Sequence, residues 1–295
     1  RRPDVLISVT GSAASLQLTS QLQRVFDRGL AAAAAMTNAW IFTGGTDSGV
    51  MKLVGDAMHK GGLVDVPLVG IAPFGALHGK VGLEGKKGQE VCVHYRAAEA
   101  ADGVLGRLNP YHTHQILVDT TAEGATWGSE VGLRSRLEQT YATAKGVPVV
   151  LLVVQGGPNT LETMLASARE GSPLLVLSDS GGAATALWQY SLGGIEHVAD
   201  KESFSSSAHK FEELCRMDRA REGSLMHFFR LADNDAEESM STALLRCLFR
   251  NLMFYQANDD AAARALSFGG ISQVVERLQE AVSRRRDQMQ RALLL

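Results

Sequence analysis

Four glycine-rich turns carry the residue types best suited to chemistry in this chain of 295 residues. Each follows a short apolar run and precedes a stretch with helical spacing: Thr10–Ser12, Gly44–Gly49, Gln155–Thr160 and Ser178–Gly182. Glycine lets a ligand approach the backbone closely, and the N–H groups at the start of a helix attract phosphate. The turns therefore predict a site for a dinucleotide or a nucleoside diphosphate. The residues predicted to bind it are Thr10, Gly11, Gly44, Gly45, Thr46, Gly156, Gly157, Thr160, Ser180 and Gly181.

None of these turns is a standard nucleotide-binding signature. The pattern GxxxxGK[ST] of P-loop hydrolases does not occur, and Gly44–Gly49 lacks the GxG start of the dinucleotide fingerprint. Ser48 does not lie in the GxSxG frame of a hydrolase nucleophile. The sequence therefore favours a ligand held by other contacts, and it predicts no catalytic residue of these two kinds.

Two further pairs of polar residues allow more than one role. His112 and His114 precede an apolar run, but two histidines without a carboxylate or cysteine at matching distance favour a structural role over metal binding. Asp47 and Asp119 follow predicted strands, where each either bonds a ribose hydroxyl or caps a turn. No metal site is predicted.

The segments that position the turns alternate between strand and helix patterns. Amphipathic stretches such as Gln17–Ala35 and Ser129–Lys145 separate short apolar runs. This alternation predicts an α/β fold with a doubly wound, mainly parallel, Rossmann-like sheet, and it places all four turns along one sheet edge. The predicted strands are Val5–Val9, Trp40–Thr43, Leu68–Ala72, Ile116–Val118, Val147–Val154 and Leu174–Leu177.

The pattern changes at about Phe204. Strand-type apolar runs disappear, and helical periodicity continues through Leu225–Leu231, Ser239–Gln256 and Ile271–Leu294. We therefore predict two units, a nucleotide-binding α/β domain over residues 1–203 and a helical extension over residues 204–295.

Composition excludes several classes of protein. The net charge of −3 argues against a broad nucleic-acid surface, and three widely spaced cysteines form neither a disulfide framework nor a zinc motif. No apolar stretch approaches the roughly 20 residues that span a bilayer. The chain begins with Arg1 instead of Met and ends in a helical pattern, which indicates a piece of a longer protein.

Several strings resemble the N-terminal melastatin homology region of TRPM cation channels. They include Ala39–Lys52 (AWIFTGGTDSGVMK), Trp127–Glu130 with Leu133–Glu138, and His112–Asp119 (HTHQILVD). Val153–Thr160 (VVQGGPNT) is similar to the same family, and the resemblance runs in order from about Asp4 to Gly194. In the ADP-ribose-gated member of that family this region binds a nucleotide.

The resemblance also implies particular contacts. The stretch Ala72–Lys80 is similar to a family segment in which an aromatic ring and basic residues embrace the nucleotide, and Lys80 stands where that segment has arginine. Lysine lacks the planar fork of arginine. Arg134 and Arg136 match a pair in the family pattern, and their spacing directs only one of them toward a pyrophosphate. The residues implied in this way are Phe74, Gly75, His78, Lys80, Arg134 and Arg136.

The function implied is that of a ligand-sensing domain without enzymatic activity. The resemblance implies a position on the cytoplasmic side of a Ca²⁺-permeable channel, no cofactor, and ADP-ribose or a related adenine nucleotide as ligand. The expected partners are the rest of the channel subunit and its neighbours in a homotetramer. Neither nucleic acid nor insertion of this segment into the membrane is expected.

Two alternatives remain open on the sequence. Gln155–Thr160 also resembles the PGGxGTxxE motif of lysine-decarboxylase-like phosphoribohydrolases, which cleave nucleoside monophosphates. Here Thr163 replaces the final glutamate, and Glu162 lies one position early, about 100° away around a helix. The other alternative is a structural assembly module that binds no ligand, which the replacement of arginine by Lys80 favours.

Overall fold

A seven-stranded sheet forms the centre of the molecule. The computed structural model describes residues 2–13, 18–84, 88, 90, 92–95, 105–119, 127–230, 232 and 240–257. The strands are β1 (Leu6–Gly11), β2 (Trp40–Thr43), β3 (Leu68–Pro73), β4 (His114–Val118), β5 (Val149–Val154), β6 (Leu174–Leu177) and β7 (Met226–Phe229). Every neighbouring pair is parallel, in the order β4-β3-β2-β1-β5-β6-β7.

Eight α-helices occur in the described part of the chain. None of them is both long and apolar enough to cross a membrane. They are α1 (Ser20–Thr37), α2 (Gly49–Lys60), α3 (Val131–Lys145), α4 (Pro158–Arg169), α5 (Gly182–Gly193), α6 (Lys201–Phe204), α7 (Ala208–Ala220) and α8 (Met240–Ala257).

The strand sequences explain why both faces of the sheet are covered. All six residues of β5, Val149–Val154, are apolar and buried, as are the four of β6, Leu174–Leu177. Such continuous apolar runs are typical of parallel strands that are buried on both sides. Helices α1, α2 and α8 cover one face, while α3, α4, α5 and α7 cover the other. The predicted doubly wound α/β fold is confirmed.

The C-terminal part differs from the prediction in one element. Leu225–Leu231 was predicted to be helical, but Met226–Phe229 forms strand β7, which extends the sheet beside β6. A four-residue strand is too short for periodicity to distinguish it from one helical turn. The division at residue 203 stays a prediction, and residues 258–295, including the predicted helix Ile271–Leu294, lie outside the described residues.

Candidate functional site

A cleft opens over the carboxyl end of β1, at the point where the strand order reverses. The chain proceeds from β1 to β2 on one side, and the later strands begin with β5 on the other. Ligands of open α/β sheets bind at such switch points. The cleft has a volume of about 160 Å³. It is lined by Val9, Thr10, Gly11, Ala13, Gly44, Thr46, Met51, Trp127, Gly128, Glu130, Val131, Arg134, Asn159, Thr160 and Thr163. We call it the strand-end cleft.

A larger cleft of about 430 Å³ adjoins it. The two share Ala13 and Trp127. In the part of the chain that the structure describes, no hydrogen bond or ion pair involves the Arg107 side chain. The lining residues are Ala13, Asp47, Ser48, Leu105, Gly106, Arg107 and Trp127. We call it the outer cleft.

Arg134 is the buried cation of the strand-end cleft. Its Nε donates to Glu138 Oε1 over 2.8 Å, and its Nη2 donates to Ser8 Oγ at 2.7 Å and to the carbonyl oxygens of Val9 and Phe42 at 2.9 and 3.0 Å. Its side chain is only 8% exposed, and Nη1 has no hydrogen bond to any described residue. Nε and Nη2 are therefore bonded within the protein, and the Nη2 bonds connect α3 with β1 and β2. Nη1 remains available to a ligand in the cleft.

Glu130 brings a carboxylate to the same cleft. Its Oε2 accepts a hydrogen bond of 3.0 Å from the backbone N–H of Gly128. A carboxylate repels phosphate but accepts hydrogen bonds from hydroxyl groups. A bound phosphate would therefore lie away from Glu130, toward Arg134 and Thr160 at the start of α4.

The turns after β5 and β6 are bonded to each other. In the first turn of α5, the N–H groups of Ala183 and Ala184 donate to the carbonyl oxygens of Gly156 and Gln155 over 2.8 and 3.0 Å. Ser180 Oγ accepts from the Gln155 N–H at 2.7 Å. This helix start is therefore occupied by the protein's own carbonyl groups. Ser180, Gly181, Gly156 and Gly157 lie beside the strand-end cleft but do not line it.

Gly45 has a packing role. Its N–H donates to Thr43 Oγ1 over 2.9 Å, and its carbonyl oxygen accepts from Gln115 Nε2 at 3.0 Å. Its φ is +72°, and a Cβ there would lie 2.7 Å from the Gly70 Cα. Glycine is required for this close approach of the turn after β2 to strand β3. Gly44, one residue earlier, does line the cleft.

The segment predicted from the resemblance to embrace the nucleotide lies outside both clefts. Phe74 and Gly75 form a short 3₁₀-helix after β3, and Lys80 Nζ donates to the Gly75 carbonyl over 3.1 Å. The His78 N–H donates to the Gly106 carbonyl at 2.8 Å, so residues 105–107 stand between this segment and the outer cleft. Arg136 is exposed on α3, where its Nε donates to the Gly132 carbonyl over 3.3 Å.

Helix α4 places Thr163 and Glu162 on different sides. Thr163 is buried and lines the strand-end cleft. Glu162 is exposed and forms an ion pair with Lys210 of α7. The position expected of a phosphoribohydrolase glutamate is therefore occupied by a hydroxyl group, and the neighbouring carboxylate faces away.

His112 belongs to a hydrogen-bond network under the cleft. Its Nδ1 lies 3.0 Å from Asn109 Oδ1 and its Nε2 lies 2.7 Å from Thr43 Oγ1. Because the amide oxygen only accepts, Nδ1 carries the proton and Nε2 accepts from threonine. Burial, together with the Arg134 guanidinium, lowers the pKa of His112 to about 4. Asn109 in turn donates to Asp47 Oδ1 over 2.9 Å. The His114 side chain is exposed, and among the described residues it forms a hydrogen bond only with Thr113.

Six of the predicted ligand-binding residues meet at the strand-end cleft, and ten lie outside it. Sequence reasoning missed Arg107 and Asn159 as site residues. Trp127 and Glu130 belonged to a string that resembles TRPM channels, and their position in that string was the available signal. Of the aspartates, Asp47 lines the outer cleft and Asp119 lines neither. The six residues that meet are Thr10, Gly11, Gly44, Thr46, Arg134 and Thr160.

Comparison with known proteins gives consistent matches. The family model described as SLOG in TRPM matches residues 1–216. Transient receptor potential cation channel subfamily M member-like 2 of Nematostella vectensis is 41% identical over 199 residues, which are 62% of this chain and 13% of that protein. Subfamily M member 2 of Mus musculus is 30% identical over 276 residues, 84% of this chain and 18% of that protein.

The chain is also similar to a third cation channel of subfamily M. Subfamily M member 1 of Mus musculus is 34% identical over 276 residues, which are 83% of this chain and 17% of that protein. The chain therefore spans less than a fifth of the length of these curated relatives.

Proposed function

The chain belongs to the family of SLOG domains in TRPM channels, and from this membership we propose that it senses ADP-ribose or a related adenine nucleotide in the strand-end cleft. The observation that carries the proposal is Arg134. It is a buried cation with one guanidinium nitrogen unbonded by the described residues, in a cleft at the switch point of the sheet. The cleft also holds the hydroxyl groups of Thr10 and Thr160 and the carboxylate of Glu130, which can form hydrogen bonds with the ribose of an anionic ligand.

The charges around the site support an orientation for such a ligand. The phosphate groups lie at Arg134 and at Thr160, next to the positive end of α4. The ribose hydroxyls donate to Glu130. Arg107 in the outer cleft supplies a second cation. The combined space is within the range of roughly 300–1,000 Å³ that is usual for small-molecule sites.

The same site supports binding without turnover. In the phosphoribohydrolase motif that Gln155–Thr160 resembles, the carboxylate for acid–base chemistry comes from α4. Thr163 stands in that place, and Glu162 pairs with Lys210 instead. We therefore propose a sensor and not a hydrolase.

The role of the whole protein is part of the proposal. The relatives are named cation channels, and this chain corresponds to a small share of each. We propose that it lies on the cytosolic side of a Ca²⁺-permeable channel, where it contacts the rest of its subunit and neighbouring subunits of a homotetramer. A ligand changes gating only if it prefers one channel state.

Isothermal titration with ADP-ribose, with AMP in parallel, tests the proposal. We expect saturable binding of ADP-ribose that is tighter than that of AMP, and no release of adenine from AMP on prolonged incubation. Heat from neither ligand would overturn the sensor proposal and favour a structural assembly module. Release of adenine would favour the hydrolase instead.

A further inference from the structure

The outer cleft contains a cation and a carboxylate that do not pair with each other. Arg107 and Asp47 both line it, and among the described residues neither a hydrogen bond nor an ion pair joins their side chains. The Asp47 carboxylate is engaged elsewhere, because its Oδ1 accepts a hydrogen bond of 2.9 Å from Asn109 Nδ2 and lies 3.7 Å from Lys52 Nζ. The positive charge of Arg107 is therefore not balanced by the carboxylate of its own cleft.

The backbone around Arg107 is held on both sides of the cleft wall. The Asp47 N–H donates to the Arg107 carbonyl oxygen over 2.7 Å. The Gly106 N–H donates to the Ala76 carbonyl oxygen at 2.9 Å, and the Gly106 carbonyl oxygen accepts from the His78 N–H at 2.8 Å. A ligand that binds the guanidinium group therefore orders one side chain and not the segment that carries it, which lowers the entropic cost of binding.

The size of the strand-end cleft limits how much of a nucleotide it can hold. Its volume is about 160 Å³, whereas sites for small molecules usually measure roughly 300–1,000 Å³. The outer cleft, of about 430 Å³, shares two lining residues with it. We therefore expect a ligand with one phosphate at Arg134 to extend into the outer cleft, where the unbalanced cation is Arg107.

We propose that Arg107 selects ligands with a second phosphate group, which it binds in the outer cleft. A guanidinium group can bind two phosphate oxygens through parallel hydrogen bonds, and such charge-assisted bonds are stronger than neutral ones. A nucleoside monophosphate has no group for this second position once its phosphate is at Arg134. The inference rests on the proposed function and deepens it, since it assigns the preference for ADP-ribose over AMP to one side chain.

ADP-ribose, ADP and AMP separate the second phosphate from the rest of the nucleotide. Each is titrated calorimetrically, at the same moderate ionic strength, into the original protein and into the Arg107→Gln variant. The variant should bind ADP-ribose and ADP about tenfold more weakly or worse, because the charge-assisted bonds to the second phosphate are lost. Its affinity for AMP should stay the same.

Two further variants serve as controls. Arg28→Gln removes the same charge from an exposed arginine of α1 that lines neither cleft, and it should leave all three affinities unchanged. Arg107→Lys keeps the charge without the planar fork, so its affinity for ADP-ribose should lie between those of the original protein and Arg107→Gln. Circular dichroism checks the fold of each variant, which we expect to be kept because the Arg107 side chain bonds no described residue.

The inference and the proposed function fail in different ways. If the original protein binds none of the three ligands, both fall. If the original protein binds ADP-ribose and Arg107→Gln binds it equally well, only the inference falls. Equal weakening of AMP and ADP-ribose in Arg107→Gln also overturns the inference, because Arg107 would then act on a part that both ligands share.

Discussion

Glu162 and Thr163 are neighbours on α4, yet Thr163 lines the strand-end cleft while Glu162 forms an ion pair with Lys210 on the outer side of the helix. Consecutive helical residues point about 100° apart. The side chain of Thr163 therefore contributes to the charge of the strand-end cleft, and that of Glu162 does not.

Thr163→Glu should weaken ADP-ribose binding about tenfold or more, because a carboxylate beside the phosphate adds repulsion of about 1.4 kcal/mol or more. Thr163→Gln is the matched control, since it has the same size without the charge. Calorimetric titration of both variants measures the difference. If Thr163→Glu binds as tightly as Thr163→Gln, the phosphate does not lie in this cleft.

Arg134→Met should lower the free energy of unfolding by about 3–5 kcal/mol, because it leaves the Glu138 carboxylate buried without its cation. Urea denaturation measures this change. Arg136→Met is the control, and its exposed position predicts a change within about 0.5 kcal/mol. Adding Glu138→Gln to Arg134→Met should recover part of the loss, and a purely additive result would contradict the pairing.

The stability should depend on pH through His112. Its pKa is 6.5 in an ordinary setting and about 4 in the fold. Between these values the unfolded chain binds a proton that the folded chain does not, so acid favours unfolding. The contribution of neutral His112 to the free energy of unfolding is fully present above about pH 6.5. It falls by up to about 3 kcal/mol as the pH drops toward 4.

His112→Gln should remove this part of the pH dependence. The measurement compares urea unfolding at pH 7 and pH 4.5 for the original protein and the variant. His114→Gln makes the same change at an exposed histidine and should keep the original dependence. An unchanged pH dependence in His112→Gln would show that another group is responsible.

Gly45→Ala should destabilise the protein more than Gly62→Ala. Both glycines have positive φ, +72° and +67°, so both variants lose about 1–2 kcal/mol of backbone energy. The new Cβ at 45 would also meet Gly70 Cα at 2.7 Å, whereas nothing lies within 4 Å of a Cβ at 62. Overpacking of this kind adds about 1–3 kcal/mol. Thermal unfolding of the two variants gives the comparison, and equal shifts would contradict it.

Much of the fold could be predicted because the strands are continuous apolar runs. Every residue is apolar in Val149–Val154 and in Leu174–Leu177. Such runs are typical of strands that are buried on both faces, so their composition predicts a position inside a parallel sheet. Met226–Phe229 has no such signal. It includes His227 and is only four residues long, and its pairing with β6 depends on contacts across the sheet.

The candidate site could be predicted only in part. The turns after β1 and β2 do reach the cleft, because strand ends in a parallel sheet share one edge. The turn after β5 reaches the cleft only with Asn159 and Thr160, because the carbonyl groups of Gln155 and Gly156 bond the start of α5. No spacing rule distinguishes a helix start that is open to a ligand from one that is occupied by a neighbouring loop.

The sequence by itself determined the fold class, the edge of the sheet that carries the site and the family, because these depend on local patterns of apolar residues, glycines and recognisable strings. Only the tertiary structure decided that Arg134 faces both the framework and the cleft, that Gly45 packs against Gly70, and that Trp127 joins two clefts. Each of these depends on distances between segments far apart in the chain, and such distances are set by packing and not by any one segment's pattern.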